Sequence, residues 1–397
     1  MTKANRWLLP DGVDEILPPQ ASQLESLRRD LLDLYSTWGY ELVMTPLIEF
    51  LDSLLIVPSS DLQLQTFKIV DQLTGRGMGV RADITSQVAR IDSHVLQREV
   101  PTRLCYADNV LHTLPKSLLG SRSPLIIGAE LYGHSGIESD IEVISLMLKT
   151  LDTAGIGDVQ LALGHVGIYR ALTREANLSA ELAQKLFAAL QRKSAGEIEQ
   201  VLSEGGADKT LIANIKSLST LHGDESVLDR AAQEIQSKQP KVAAQVKESI
   251  EQLRQIAADI KVTFPGQSLY FDLGELRGYE YHTGVVFAAY VAGYGEAIAN
   301  GGRYDDIGEV FGRARAATGF DADLKILLGQ GHRHAGESRR IYAPADTDPA
   351  LTDAIDALRS DGEQVVRAFP GQAESASDMG CNFELVRSGK AWQVKPI

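Results

Sequence analysis

The chain has 397 residues, 44% of them hydrophobic and 23% charged, with a formal net charge of −14. Two or three cores are expected at that length, the composition is that of a globular fold, and no apolar run approaches the roughly 20 residues needed to cross a bilayer. The acidity argues against a broad nucleic-acid surface, which needs clustered Lys and Arg, and two cysteines, Cys105 and Cys381, are too few for a disulfide framework or a cysteine metal site.

Met1 to Trp7 has no apolar stretch behind its charges, so a cytoplasmic location is expected. After the turn-forming Pro10-Asp11-Gly12, apolar residues at Leu24, Leu27, Leu31, Leu34 and Trp38 recur at helical spacing, and Gly39 is a natural C-terminal cap. Tyr40 to Thr45 alternates like a strand that Pro46 ends. Thr66 to Asp71 and Met78 to Arg81 read as strands around a turn, and Ile84, Val88 and Ile91 begin a helical face. A hairpin is expected from Arg103 to His112 and Leu125 to Tyr132. A helix follows through Ile141, Ile144, Leu148 and Leu151, and Gly155 stops it.

From Ile168 to Ile260 the composition turns to Ala, Leu, Glu, Gln and Lys without strand-like runs, the pattern of a helical insertion. Strand signals resume at Leu269 to Leu273 and Tyr281 to Tyr290, and a last helix lies around Ala322 to Leu328. Beyond Arg340, the residues 341–343, 349–359, 364–368 and 383–394 read as strand, helix, strand and strand pair. Antiparallel strands mixed with a few helices make the fold class α+β.

Walker, GxGxxG, HExxH and GxSxG signatures are absent. His332 and His334 lack a neighbouring carboxylate or cysteine pattern, so no metal and no cofactor are expected. Arg277-Gly278-Tyr279-Glu280-Tyr281-His282-Thr283-Gly284 is dense in donors and acceptors; locally it reads more readily as a polar hairpin turn than as a site. Ala299 to Asp305 likewise reads alone as a tight turn whose glycines supply positive φ.

Taken in order, these segments resemble the class II aminoacyl-tRNA synthetase core, in its histidyl branch. The pieces are Pro10-Asp11-Gly12 through Leu17-Pro18, Thr45-Pro46-Leu47-Ile48-Glu49 as motif 1, and Arg81-Ala82-Asp83-Ile84-Thr85. They continue with Gly128-Ala129-Glu130-Leu131-Tyr132-Gly133 on the motif 2 strand, the Arg277 to Thr283 histidine motif, Gly301-Gly302-Arg303-Tyr304-Asp305, and Thr318-Gly319-Phe320 opening motif 3. The resemblance covers roughly residues 8 to 330. It implies an antiparallel sheet flanked by helices, with core segments at 1–167 and 263–335, a helical insertion at 168–262, and a short α/β tail at 336–397 as a reduced anticodon-domain remnant.

The departures from the family bear on function. At the motif 2 position of the arginine that grips the ATP α-phosphate stands His112, with Leu114 where a carboxylate would face adenine; Arg122 is the nearby arginine that could take over part of the role. The Glu-Arg pair ending motif 3 is replaced by Lys325 and Ile326. Losing such clamps removes transition-state stabilisation from adenylate formation, so no catalysis is expected. The amino-acid pocket is better kept. By resemblance Asp83 and Thr85 would hold a ligand α-amino group, Glu130 would accept from an imidazole, Arg277 would pair with a carboxylate, and Tyr281 and Tyr304 would close the ring site. Asp83 stands for a longer glutamate, His282 for a tyrosine and Ile126 for a glutamine.

Relatives that keep the histidine pocket while losing the ATP motifs and anticodon reading are the regulatory subunits of short-form ATP phosphoribosyltransferase, and the chain resembles them. The resemblance implies a chain that dimerises through motif 1, two such dimers joining catalytic subunits in a hetero-octamer, with L-histidine as feedback effector in the first step of histidine biosynthesis. It implies neither tRNA nor membrane as partner. The alternatives are a divergent active histidyl-tRNA synthetase, or a paralogue acting on some other protein or RNA.

Overall fold

The computed structural model describes residues 7–56, 60–115, 120–276, 281–332, 339–389 and 391–397. The chain divides into two compact units, Met1–His332 and Arg333–Ile397.

In the first unit, α1 (Gln20–Thr37) buries Leu24, Leu27, Leu31 and Tyr35 on one stripe, as the three- and four-residue spacing requires. Gly39, at φ +82°, lets the Tyr40 N–H turn back to the Tyr35 carbonyl and end the helix. The strand expected at 40–45 is shorter. β1 (Glu41–Leu42) pairs parallel with the motif 2 hairpin, and beyond it the Thr45 carbonyl and hydroxyl accept from the Arg81 guanidinium instead of a ladder partner.

A small antiparallel sheet follows from β2 (Ile48–Phe50), β3 (Phe67–Val70) and β4 (Gly77–Val80), with the short helices α2 (Leu51–Leu54) and α3 (Ser60–Gln65) between its first strands. After it come α4 (Thr85–Arg90), the hairpin β5 (Thr102–Asn109) and β6 (Leu125–Tyr132), and α5 (Ile137–Thr153), which Gly155 at φ +75° terminates. β7 (Gln160–His165) was not legible as a strand. It is short and carries an internal glycine, and His165 at its end caps the next helix through Nδ1, which accepts from the Gly167 N–H at 3.1 Å.

The insertion comprises α6 (Val166–Ala176), α7 (Ala180–Gln191), α8 (Ala195–Glu204), α9 (Lys209–Ser217), α10 (Ser226–Glu234) and α11 (Pro240–Thr263). One element there is not helical, the two-residue β8 (His222–Gly223) between α9 and α10. The chain returns as β9 (Ser268–Asp272), β10 (Val285–Tyr290), β11 (Ala299–Arg303), β12 (Ala317–Asp323) and α12 (Leu324–Gln330). The strand read from Tyr281 begins only at Val285. Ahead of it the Thr283 N–H is spent on the Arg303 carbonyl, and the Thr283 hydroxyl accepts from the Asp305 N–H. The turn reading of Ala299 to Asp305 is also corrected: Gly301 and Gly302 sit inside β11, paired with Phe287 and Val286 on one side and Phe320 and Gly319 on the other.

The main sheet runs β1-β5-β6-β12-β11-β10-β7-β9-β8. Only the β1/β5 and β7/β9 pairs are parallel. Because side chains alternate across a strand, register sorts the residues into two faces. Cys105, Ile127, Ala129, Leu131, Phe320, Phe287 and Leu163 face a core shared with α1, α5 and α11. Burial in that core pushes the Cys105 thiol up to about 12, which leaves it inert. Leu104, Glu130, Gly319, Gly302, Val286 and Gly164 are register partners across five neighbouring contacts, so they form one transverse row on the opposite face.

In the second unit, β13 (Arg340–Ala343) lies between β14 (Gln364–Arg367) and β15 (Phe383–Ser388), and β16 (Ala391–Pro396) pairs with β15. The connecting helix α13 (Pro349–Ser360) begins at Asp348, whose carboxylate accepts from the Ala350 N–H, and it buries Leu351 and Ile355 in a separate core with Ile341, Val365 and Leu385.

Arg303 locks β11 to the start of α5. Its guanidinium donates to the Asp140 carboxylate at 2.9 and 3.0 Å, to the Ser139 hydroxyl at 2.9 Å and to the Gly136 carbonyl at 3.0 Å, all in a buried setting. Replacing Arg303 with Leu leaves Asp140 buried without its cation, so unfolding in urea at neutral pH is expected at a stability lower by about 3–5 kcal/mol. A loss under 1 kcal/mol would show that the pair does not hold the sheet to α5.

Candidate functional site

The site face is built around Glu130 on β6. Its side chain is 1% exposed. One carboxyl oxygen accepts from the Thr85 hydroxyl and the Tyr106 hydroxyl, each at 3.0 Å, and the other accepts a short hydrogen bond from Tyr304. Tyr304 reaches it from the end of β11, and its phenol oxygen also lies 3.3 Å from the Tyr132 hydroxyl. Burial raises the phenols of Tyr106, Tyr132 and Tyr304 well above their ordinary range, so they remain protonated donors. Burial likewise pushes the Glu130 carboxyl up to about 8, against the three hydroxyls, with the nearby charge of Asp83 adding to the rise.

Glycines make room for this cluster. A side chain on Gly319, the register partner of Glu130, would occupy the space of the Glu130 carboxylate, and one on Gly128 would collide with the Tyr106 phenol. A Cβ on Gly302 would stand 2.8 Å from the His282 imidazole, so that ring lies over β11. His282 is buried, with its ring centroid 4.3 Å from that of Tyr281 and the two planes tilted by 48°.

The structure therefore brings Thr85, Glu130 and Tyr304 into one hydrogen-bonded cluster, with Asp83 close enough to act on it electrostatically. Thr85 donates to Glu130, which leaves its oxygen lone pairs as acceptors. Tyr281 packs against the cluster that holds Tyr106, Tyr132 and Tyr304, and with His282 it lines a cavity of about 220 Å³ over β11, β10, β7 and β9. Arg277 lies outside the described residues, as does His334 of the His332 pair. Among the described residues no group of His, Cys, Asp and Glu is arranged to hold a metal ion, and no helix is long and apolar enough to cross a membrane.

Tyr106 and Tyr132 were not singled out in the sequence. Tyr132 lies two residues after Glu130 on the same strand, so period two alone puts it on the same face. Tyr106 needed the β5/β6 register, which sets it opposite Gly128.

The positions that the family resemblance assigns to ATP are either engaged within the chain or apolar. The buried His112 ring meets the Ala82 carbonyl through Nε2 at 2.9 Å. Arg122 is not available to take over: it donates to the His112 and Asp11 carbonyls, each at 3.0 Å, and its guanidinium lies 5.3 Å from the Phe67 ring centre. Lys325 pairs with Asp14 at 3.2 Å, Ile326 packs partly buried against the main core, and Leu114 is exposed with no polar atom to offer adenine.

Sheet, motif order and acid cluster together define a class II aminoacyl-tRNA synthetase fold of the histidyl type, and the histidyl-tRNA synthetase family model matches residues 12–327. A second family, described as the ATP phosphoribosyltransferase subunit HisZ C-terminal domain, matches residues 338–395. Curated relatives agree over the full length: the ATP phosphoribosyltransferase regulatory subunits of Thioalkalivibrio sulfidiphilus and Stutzerimonas stutzeri are 53% and 52% identical, with 100% of each chain covered. Among solved structures, an ATP phosphoribosyltransferase regulatory subunit/histidyl-tRNA synthetase from Bacillus halodurans superposes with a TM-score of 0.81 at 25% identity, covering 96% of this chain and 97% of that one. The Nostoc histidyl-tRNA synthetase, with a TM-score of 0.76 and 17% identity over 96% of this chain and 91% of its own, shares the fold. The chain belongs to the family of ATP phosphoribosyltransferase regulatory subunits, and it is a non-catalytic chain.

The Glu130 carboxyl has a testable effect on stability. Ordinarily such a group ionises near 4.5, and in the folded chain near 8. Between those values the folded chain holds a proton that the unfolded chain has released, so stability falls as pH rises through the window and levels off above about 8. Glu130→Gln is expected to flatten that slope in thermal unfolding scans taken across the window; equal slopes in both proteins would refute the assignment.

Proposed function

We propose that the chain binds L-histidine at the Glu130 cluster and, through a complex with the short-form ATP phosphoribosyltransferase catalytic subunit, lowers that partner's activity when histidine is bound. The observation that carries this reading is the buried Glu130 carboxyl among Thr85, Tyr106 and Tyr304 hydroxyls, on a fold whose ATP-gripping positions are engaged within the chain. Buried acceptors of this kind suit an imidazole N–H and an ammonium group, since each would otherwise lose its solvation. Glu130 accepts from the ring, Asp83 and the Thr85 oxygen take the α-amino group, and Tyr304 closes the ring site. Tyr281 and His282 stand at its edge. Arg277, assigned to the ligand carboxylate by the family resemblance, completes the set.

Feedback is a coupling between two states. Histidine shifts activity only by the difference in its affinity for the active and the inhibited complex. The chemistry stays on the partner chain, and the pair acts in the cytoplasm. tRNA recognition is disfavoured by the net charge of −14.

Self-association through motif 1 is supported by the exposed apolar side chains Leu42, Met44, Leu47 and Ile48, which follow one another beside the sheet's β1 edge. Two such dimers would join catalytic subunits in a hetero-octamer. A Leu42→Asp/Met44→Asp double variant is expected to sediment as a monomer where the parent sediments as a dimer; an unchanged dimer would place the contact elsewhere.

Mixing the purified chain with the short-form catalytic subunit, and following complex size and phosphoribosyl-ATP formation, tests the main reading. A larger complex inhibited by histidine is expected, with the half-inhibiting concentration raised roughly tenfold or more by Glu130→Ala, the loss of a hydrogen bond to a charged group. No association and no change in activity would overturn it, and histidine-dependent ATP–pyrophosphate exchange would favour an active synthetase instead.

A further inference from the structure

Tyr132 lies outside the set of groups assigned to histidine, yet its hydroxyl is the next polar group beyond Tyr304. It follows Glu130 by two residues on β6 and is 2% exposed. Its register partner on β12 is Ala317, whose small side chain leaves room for the phenol, and the Ala317 carbonyl accepts from the Tyr304 N–H at 2.8 Å. The Tyr132 and Tyr304 rings meet edge to face, with centroids 6.3 Å apart and planes at 81°. Their hydroxyl oxygens are 3.3 Å apart.

A hydroxyl carries one hydrogen. That of Tyr304 goes to the Glu130 carboxylate, so Tyr132 is the donor across the second contact. The bonds then run one way, from Tyr132 to Tyr304 to Glu130, and a hydroxyl whose oxygen accepts is a stronger donor in turn. At 3.3 Å the first link is longer than the roughly 2.5–3.0 Å usual between hydroxyls, which leaves slack to take up when the acid becomes negative. Thr85 on α4 and Tyr106 on β5 serve the other carboxyl oxygen, so Tyr132 acts on the acid through Tyr304. The charged and titratable groups around them are Asp83 ahead of α4, Asp321 on β12 and Tyr281, while Asp92, paired with Arg315, acts on Tyr132 from the segment after α4.

We propose that Tyr132 is a positioning residue for Glu130: its hydroxyl donates to the Tyr304 oxygen and so holds Tyr304 as the donor that the ionised acid needs. Its effect on ligand affinity rests on the reading that Glu130 binds histidine, and there Tyr132 strengthens binding without touching the ligand.

Tyr132→Phe keeps the ring and removes the hydroxyl. Unfolding free energies of the parent and this variant, measured across pH, test the relay with no ligand present. The difference between them is expected to be constant while Glu130 is protonated and to widen as pH rises through about 8, where the acid ionises. In a Glu130→Gln background the widening is expected to vanish. A difference of one size at every pH, or one that widens equally in the Glu130→Gln background, would make Tyr132 a packing residue only and overturn the proposal. Calorimetric titration with L-histidine reads the same relay in binding. Tyr132→Phe is expected to weaken affinity about threefold or more at neutral pH, and the two affinities to converge well above 8, where the acid is ionised before the ligand arrives. The ligand's own titration is common to both proteins and cancels in the ratio. Absence of histidine binding alongside a widening difference in unfolding would refute the histidine reading and still assign Tyr132 to positioning Glu130.

Discussion

The buried pairing of Arg303 with Asp140 fixes the geometry on which the site depends. Arg303 and Tyr304 are neighbours at the end of β11, and consecutive residues there point to opposite faces. Tying the guanidinium to Asp140, Ser139 and Gly136 at the start of α5 therefore directs the next side chain toward Glu130. A buried ion pair repays its desolvation only when the remaining donors are also bonded, and Arg303 spends donors on two backbone carbonyls as well, those of His134 and Gly136. The cation is structural. Its position between the two glycines of β11 and Tyr304 makes the Gly-Gly-Arg-Tyr-Asp run a positioning element as much as a binding one.

The same sheet shows why some of the fold could be read from residues alone and some could not. Periodicity carried α1 and α5, whose buried stripes are those the spacing requires, and alternation carried the β5/β6 hairpin. What failed depended on partners distant in sequence. Paired glycines in Ala299 to Asp305 look like turn residues locally, yet Gly302 lacks a side chain because His282 needs its space and Gly301 because the Gly319 carbonyl does. β7 was hidden for a related reason: Gly164 weakens its pattern, and the strand gains its stability from β10 and β9, which lie more than a hundred residues away. Glu130 was legible because its family motif is contiguous, whereas Tyr106 belongs to the site only through strand register.

Internal satisfaction of the cations near the positions that the family resemblance assigns to phosphate makes the proposed loss of chemistry a matter of charge. An adenylate-forming site needs cations whose donors point at developing negative charge. Here Arg122 is bound by backbone carbonyls and Lys325 by Asp14, so both are spent on holding the Asp11 to Asp14 segment and the Ser121 to Arg122 turn together. Those contacts would have to break before either cation could meet a phosphate.

A sheet face stripped of phosphate grips but keeping a buried acid is suited to sensing, because the acid's own state depends on what lies beside it. With a carboxyl raised to about 8, Glu130 is mostly protonated at neutral pH in the unliganded chain. A cationic ring placed against it would favour the ionised form, so part of the binding energy goes into shifting that proton equilibrium. A ligand bound there, as proposed, would be coupled to the hydroxyl cluster that Tyr304, Thr85 and Tyr106 form, and through Tyr304 to the β11 anchor at α5. That chain of contacts gives a bound ligand mechanical access to α5 and the main core, which a surface site would lack.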